Sequence, residues 1–309
     1  MKPALSVVFF TVSSGAGLGL IMWLLSAQLA GRVDGSHPAF WAAAAAAALL
    51  LTAGLLSSTR HLANPRNAWR AFARFRTSWL SREGVFAVAL YPLAALHLWA
   101  SASGSRLAAV TAVATIVLAG VVVLSTAMIY ACLKTVPRWR TWHTPAAYLL
   151  YSLGSGALLW TAIARSGGLA APDAAGVVGL LLAAGAVKAA WYAKFSSRVH
   201  ATLNQALGVP LAAPVGRVQG RVRLLDAGHT HGTFLTHEFG FAIARERAAV
   251  LRNATFALTV PVPLVLLAFG AGGAWAAAVA MLGGLLVERW LFFALAEHVV
   301  RLYHGQRSV

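Results

Sequence analysis

The stretch LAAVTAVATIVLAGVVVLSTAMIYAC, residues 107–132, decides the fold class. It contains no Asp, Glu, Lys or Arg. As a helix rising 1.5 Å per residue it is about 39 Å long, enough to cross the ~30 Å hydrocarbon layer of a bilayer. Apolar runs of ~18 residues or more read as transmembrane helices. Working outward, similar runs predict eight spans, roughly 5–30, 38–59, 83–102, 107–132, 145–165, 174–194, 249–270 and 274–302. The second carries an alanine tract, Ala42 to Ala48, followed by Leu49, Leu50 and Leu51. Pro38, Pro145 and Pro172 sit near span starts, where proline is tolerated. The expectation is an all-α integral membrane protein, a bundle of eight transmembrane helices forming a single membrane domain over 1–309.

Composition agrees. The chain has 309 residues, 59% hydrophobic and 11% charged. A soluble domain is roughly one quarter charged, so this chain lacks the polar surface to cover a soluble core. The first apolar run, to about Ala30, is longer than a signal-peptide core of ~7–15 residues and reads as a retained first span. The net charge of +17 would suggest nucleic acid in a soluble protein, but here the cations lie between apolar runs. With eight spans, 20 Lys and Arg residues fall on the side holding both termini. Only Arg32, Arg106 and Arg165 fall on the other, and Lys188 and Arg289 lie inside spans. Positive charge marks the cytoplasmic side, so both termini are expected there. No nucleic-acid partner is expected.

Two connections stand out. In 60–82, Asn64-Pro65 forms a plausible helix start, Arg66, Arg70 and Arg74 recur every four residues, and Trp69, Phe72 and Phe75 every three. That pattern predicts a short amphipathic helix in the membrane interface. The long loop 195–248 is broken early by Pro210, Pro214 and Gly216. Its second half, Thr233 to Arg247, mixes Phe234, Leu235, Phe239 and Phe241 with charges, and suits either a docking helix or a lipid-facing one.

Candidate chemistry is sparse. There are eight acidic residues, and each one inside or at the mouth of a span is a functional candidate by default. Glu83 opens the third span and can exchange a proton there, or act as a helix N-terminal charge. Glu288 lies well inside the last span. Arg289 beside it makes a structural ion pair the expected role, with a further partner on another helix, since adjacent helix positions do not face each other. His61 ends the second span and titrates near neutrality, which suits hydrogen bonding to a quinone or plain interfacial anchoring. His97 is expected near the outer face and His298 near the inner end, at unmatched depths. His61, His143, His200 and His304 fall at inner ends or loops, so no haem is expected. The single cysteine, Cys132, cannot supply the four protein ligands of an iron–sulfur cluster. His229, His231, His237 and Glu238 lack a recognised zinc spacing, so no metal is expected. Gly15 and Gly19 form a small-xxx-small pair that favours close helix packing.

Several of these residues fall into a pattern. The opening Pro3-Ala4-Leu5-Ser6-Val7 through Phe9-Phe10-Thr11 and Gly15-Ala16-Gly17 resembles the dimethyl sulfoxide reductase membrane-anchor family, the DmsC-like proteins. So do His61-Leu62, Pro65, Ala68 and Ser78-Trp79-Leu80-Ser81-Arg82-Glu83. Thr135-Val136-Pro137-Arg138-Trp139, Thr144-Pro145, and Glu288-Arg289 with Phe292-Phe293 and His298 extend the likeness over nearly the whole chain. The resemblance implies a non-catalytic anchor in a bacterial inner (plasma) membrane, serving anaerobic electron transport. It would hold a molybdopterin catalytic subunit and an iron–sulfur electron-transfer subunit against the lipid bilayer. It would exchange electrons with quinone, typically menaquinol, and carry no haem and no cluster itself. In that family a histidine and a glutamate flanking this connection are tied to quinol, and His61 and Glu83 match those positions. Arg82 or Arg60 would then stabilise developing negative charge, and aromatics such as Trp79 and Trp69 would sandwich the ring.

The sequence departs from the family where Asn64 replaces a small residue and where the 195–248 loop is longer. These features resemble a branch whose partners include cytoplasm-facing, sulfite-oxidising and quinone-reducing enzymes, so the direction of electron flow stays open. The rivals are a secondary transporter, which needs ionisable or broken-helix sites at the midplane, and a purely structural anchor.

Overall fold

The computed structural model describes residues 3–60, 65–196, 201–211, 220–225 and 247–304. His61, the histidines His229, His231 and His237, and most of the expected helix from Thr233 lie outside them. The described residues are helical: α1 (Leu5–Leu29), α2 (Pro38–Thr59), α3 (Trp79–Ala102), α4 (Leu107–Ala131), α5 (His143–Ser166), α6 (Ala174–Lys194), α7 (Leu203–Leu207), α8 (Ala248–Thr259), α9 (Pro261–Leu266) and α10 (Gly270–Ala294). Short 3₁₀ segments span Pro65–Arg74, Leu267–Phe269 and Val299–His304. Helix starts follow local chemistry. His37 Nδ1 accepts from Ala39 N–H at 3.1 Å ahead of α2, with Pro38 in the first turn, and Asp173 Oδ2 accepts from Gly176 N–H at 2.8 Å ahead of α6. The third helix begins at Trp79, capped by Ser78, so Glu83 lies a full turn inside it rather than at its opening.

Among the described residues seven helical segments suit a membrane crossing by length and composition, against the eight runs read from the sequence. The difference lies in Ala248–Ala294, a single segment of 47 residues. Straight, it would reach about 70 Å, over twice the hydrocarbon thickness. Pro261 and Pro263 remove two hydrogen-bond donors, and Gly270 takes φ +65°, a conformation side chains rarely adopt. The segment folds back there. A Cβ on Gly284 would meet Leu258 and Thr259, and one on Gly273 would strike the Leu266 carbonyl. Opposing positions therefore run antiparallel, a hairpin of α8–α9 against α10.

Helices α1 and α5 are the most enclosed, and α1 packs against α2, α4, α5 and α10. Gly19 and Gly156 face each other so closely that a Cβ on Gly156 would collide with the Gly19 backbone, and one on Gly19 with the backbone of Ser152 and Gly156. Ser152 Oγ donates to the Gly15 carbonyl at 2.5 Å. The Gly15–Gly19 pair thus meets a matching Ser152–Gly156 pair, the small-residue contact that lets helices approach in lipid. Large apolar side chains on the outer faces, among them Leu49, Leu56, Val88, Val117, Leu182 and Val279, are exposed. They form the surface a bilayer covers.

Candidate functional site

The bundle end where α1, α3 and α5 begin and α2, α4, α6 and α10 finish carries the candidate residues. The connector forms a 3₁₀ helix over Pro65–Arg74. At three residues per turn, Trp69 and Phe72 stack in one column, while arginines spaced by four spread around the axis. Phe72 leans on Gly84, and Phe75 meets Phe86 edge-on at 5.4 Å, so the connector lies back against α3. Arg82 holds it: Nε donates to the Phe75 carbonyl at 3.0 Å and Nη2 to that of Arg76 at 2.8 Å. The same guanidinium lies 4.3 Å over the Trp79 ring. Trp69 is exposed, with Arg70 5.6 Å over its ring, and makes no ring contact with Trp79 among the described residues. Arg60 follows α2, is exposed, and lines an open groove of about 430 Å³ with Ser6, Phe9, Leu56 and Ser57.

Glu83 points the other way, into the bundle. Its side chain is buried and its Oε1 accepts from Thr126 Oγ1 of α4. Arg82 and Glu83, neighbours in sequence, therefore serve opposite faces of α3.

A second charged group lies at a similar depth. Glu288 Oε1 is 2.5 Å from Lys188 Nζ of α6, and Oε2 is 3.2 Å from Nη1 of Arg289. All three are buried. The long Arg289 side chain folds back over the Tyr148 ring, 3.6 Å away, which is how it reaches its own neighbour on the helix. Lys188 also stands 4.1 Å over Trp191. Sequence reasoning marked Lys188 as an intramembrane cation without giving it a role. The signal was present, because a lone lysine in an apolar run is expensive unless paired.

Other conspicuous residues turn out to be structural. Trp139 Nε1 donates to the Phe292 carbonyl at 3.0 Å, and Trp191 Nε1 to that of Arg138 at 2.9 Å. Val299 N–H donates to the Thr135 carbonyl at 2.9 Å. Together they tie the 132–142 connection under the last helix. His97 is buried at the far end of α3, with Nε2 2.9 Å from Gln28 Oε1 and Nδ1 3.1 Å from Thr111 Oγ1. His298 lies beyond α10 at the opposite end, where its Nδ1 accepts from Val300 N–H at 3.0 Å and burial holds its pKa below the usual value. No group of three or more His, Cys, Asp or Glu gathers among the described residues.

Comparison with known proteins adds to this geometry. The DMSO reductase anchor subunit (DmsC) family matches residues 1–295. A protein of Allochromatium vinosum, named as the C subunit of a sulfite dehydrogenase, is 32% identical over 98% of this chain and 99% of its own length. No solved structure matches. An apolar helical bundle with a basic end, matched along almost its whole length, makes this chain a multi-pass membrane protein of the DMSO reductase anchor subunit family.

Proposed function

We propose that this chain is the quinone-reactive anchor of a molybdopterin oxidoreductase complex. It crosses the plasma membrane eight times with both termini in the cytoplasm, the two arms of the 248–294 hairpin each making one crossing. A quinone head group sits at the cytoplasmic mouth of α2 and α3. His61 hydrogen-bonds one quinone oxygen, and Glu83 exchanges its proton. Arg60, exposed on the groove beside α1, supplies positive charge at the rim. Arg82 and Trp79 hold the connector that covers the site, and Trp69 on that connector seats it in the interface. Electrons pass between the quinone and an iron–sulfur subunit, which serves a molybdopterin subunit docked on the basic, cytoplasmic face.

The observation that carries this reading is Glu83. A carboxyl buried one turn inside the basic end, held by one hydroxyl, is costly in a membrane unless it does chemistry. Membership of a reductase anchor-subunit family supports reading that chemistry as part of electron exchange. A transporter reading requires ionisable sites at the midplane, whereas this charged layer lies one to two turns from the helix ends.

The sulfite dehydrogenase relative supports a second form of the proposal, a cytoplasm-facing sulfite-oxidising complex that reduces quinone rather than oxidising menaquinol. Quenching of a fluorescent quinol-site inhibitor titrated into membranes tests the site. Binding is expected to disappear in His61→Ala and Glu83→Gln while the complex stays assembled, and unchanged binding in both moves the site elsewhere. Protease added to intact spheroplasts tests the face, since cleavage of the partner without lysis rejects the cytoplasmic assignment.

A further inference from the structure

We propose that the gap between α2 and α3 holds the polyprenyl tail of the quinone, in an apolar cavity bridged on its lipid side by Thr52 and Tyr91. The proposal rests on the quinone reading of Glu83. Helices α2 and α3 follow each other in the chain yet scarcely touch, since α2 packs on α1 and α3 on α4. Behind the gap lies a cavity of about 100 Å³, walled by Leu24, Phe40, Ala44, Leu51, Leu90 and Ala94 among others. The polar side chains on its wall, Thr115, His97 and Tyr91, are already engaged. Thr115 Oγ1 donates to the Thr111 carbonyl at 2.7 Å, and the two nitrogens of His97 meet Gln28 and Thr111. Tyr91 Oη and Thr52 Oγ1 share a hydrogen bond at 2.7 Å across the gap. Among the described residues the wall therefore offers a hydrocarbon surface. An apolar cavity of this order stays dry and takes a hydrocarbon. Lipid is as apolar as these walls, so the gain on filling them is packing contact rather than escape from water.

Position identifies the occupant. Glu83, Ala87, Leu90, Ala94 and His97 succeed one another at steps of four and three, a single stripe along α3. The cavity begins at Leu90, about 10 Å deeper than Glu83 at 1.5 Å per residue, and ends at His97, about 21 Å deeper. A head group at the mouth of α2 and α3 therefore has the cavity in line beneath it. Leu51, Ala87 and Leu90 are buried in one cluster at the intervening level, so a chain passes that level on the lipid side. The gap is its way in. The Thr52–Tyr91 hydrogen bond is the bridge to be opened there. Pro92, beside Tyr91, removes one hydrogen bond from α3 at the same level, where a helix bends most readily. The subsite selects by chain. A quinone with a polyprenyl tail gains these contacts, and one with the same head and no tail does not.

The test uses the assembled complex in liposomes, assayed with a polyprenyl naphthoquinone couple and with menadione and menadiol, the same head group without the tail. Ala94→Phe fills the cavity from α3, and Ala44→Phe fills it from α2. In each, KM for the polyprenyl substrate is expected to rise roughly tenfold with kcat little changed, while KM for the tail-free one keeps its wild-type value, the pattern of lost uniform binding. A rise in KM for both substrates marks a disturbed head site and overturns the proposal. Wild-type KM for both also overturns it, and leaves the cavity to a lipid acyl chain. Should neither variant assemble, a polyprenyl quinone with a photoreactive group along its tail reads the wild-type complex. Label is expected on α2 and α3 within 44–51 and 90–98, and label confined elsewhere overturns the tail subsite. An overturned tail subsite with inhibitor binding lost in Glu83→Gln leaves the quinone head site standing. Inhibitor binding intact in both Glu83→Gln and His61→Ala overturns the head site and the tail subsite with it.

Discussion

The two ends of this bundle each bury a polar cluster, and they are built on opposite principles. At the end away from the basic face, Gln28, His97, Ser101 and Thr111 form a neutral network. Gln28 Nε2 donates to Ser101 Oγ at 2.6 Å, its Oε1 lies 2.9 Å from His97 Nε2, and Nδ1 meets Thr111 and the Ala108 carbonyl. Both imidazole nitrogens are occupied. A saturated network of neutral groups rigidifies a core, and the cavity of about 100 Å³ that His97 lines beside it is otherwise walled almost wholly by apolar side chains. At the basic end Glu83, Lys188, Glu288 and Arg289 bring four formal charges, two small cavities and a Tyr148 hydroxyl that has no hydrogen-bond partner among the described residues. Burial alone therefore does not mark function in a membrane protein. Formal charge and unused hydrogen-bonding capacity are what set the basic end apart.

Breaking the charged triad gives the largest expected effect. Glu288→Ala leaves two buried cations without their carboxylate and is expected to cost about 3–5 kcal/mol, seen as loss of assembled complex or a lower unfolding midpoint in detergent. An unchanged midpoint would place the triad in a wetter setting than its burial implies. Glu83→Gln is expected to preserve assembly and reduce quinone-linked turnover about 100-fold, near 2.7 kcal/mol in barrier. That result would separate chemistry from packing within the same layer. In the neutral network His97→Ala is expected to destabilise by about 1–2 kcal/mol through the orphaned Gln28, with turnover of a tail-free quinol per assembled complex unchanged. A fall in turnover there would erase the contrast between the ends. Arg82→Gln is the mildest, below about 1 kcal/mol in stability, since its contacts are exposed. Its readout is faster proteolysis across 65–78, where the connector loses two carbonyl contacts.

Much of this contrast was legible in the sequence, though unevenly. Glu83 stood out because an acid at the mouth of an apolar run has few reasons to be there. Arg289 beside Glu288 was legible too, but the divergence of adjacent helix positions pointed away from the contact the two make. That divergence separates short side chains, whereas Arg289 is long enough to bend over Tyr148 and return. Lys188 was visible as a charge, and its partner was not, because 100 residues separate it from Glu288. The arginine column expected over 66–74 rested on α-helical spacing, and the 3₁₀ geometry favours the aromatic column instead. Trp139 was legible only as part of the family pattern, and nothing local marked Trp191. Both serve as hydrogen-bond ties, to carbonyls that lie far off in the chain.

The amino-acid order by itself determined the class of molecule. A 26-residue uncharged run can satisfy its backbone in lipid only as a helix, and cations gathered between such runs mark one face. These are properties of composition and period, which act locally and survive without knowledge of neighbours. Tertiary structure alone decided which polar residues meet. It set the fold-back at Gly270, the Gly19–Gly156 contact, the Thr126 hydroxyl on Glu83, and the assembly of Lys188, Glu288 and Arg289 at one depth. The reason is geometric. Apolar helices in a bilayer gain little from hydrophobic burial against one another, so their partners are chosen by close packing and by the need to satisfy each buried charge. Both depend on residues far apart in the chain.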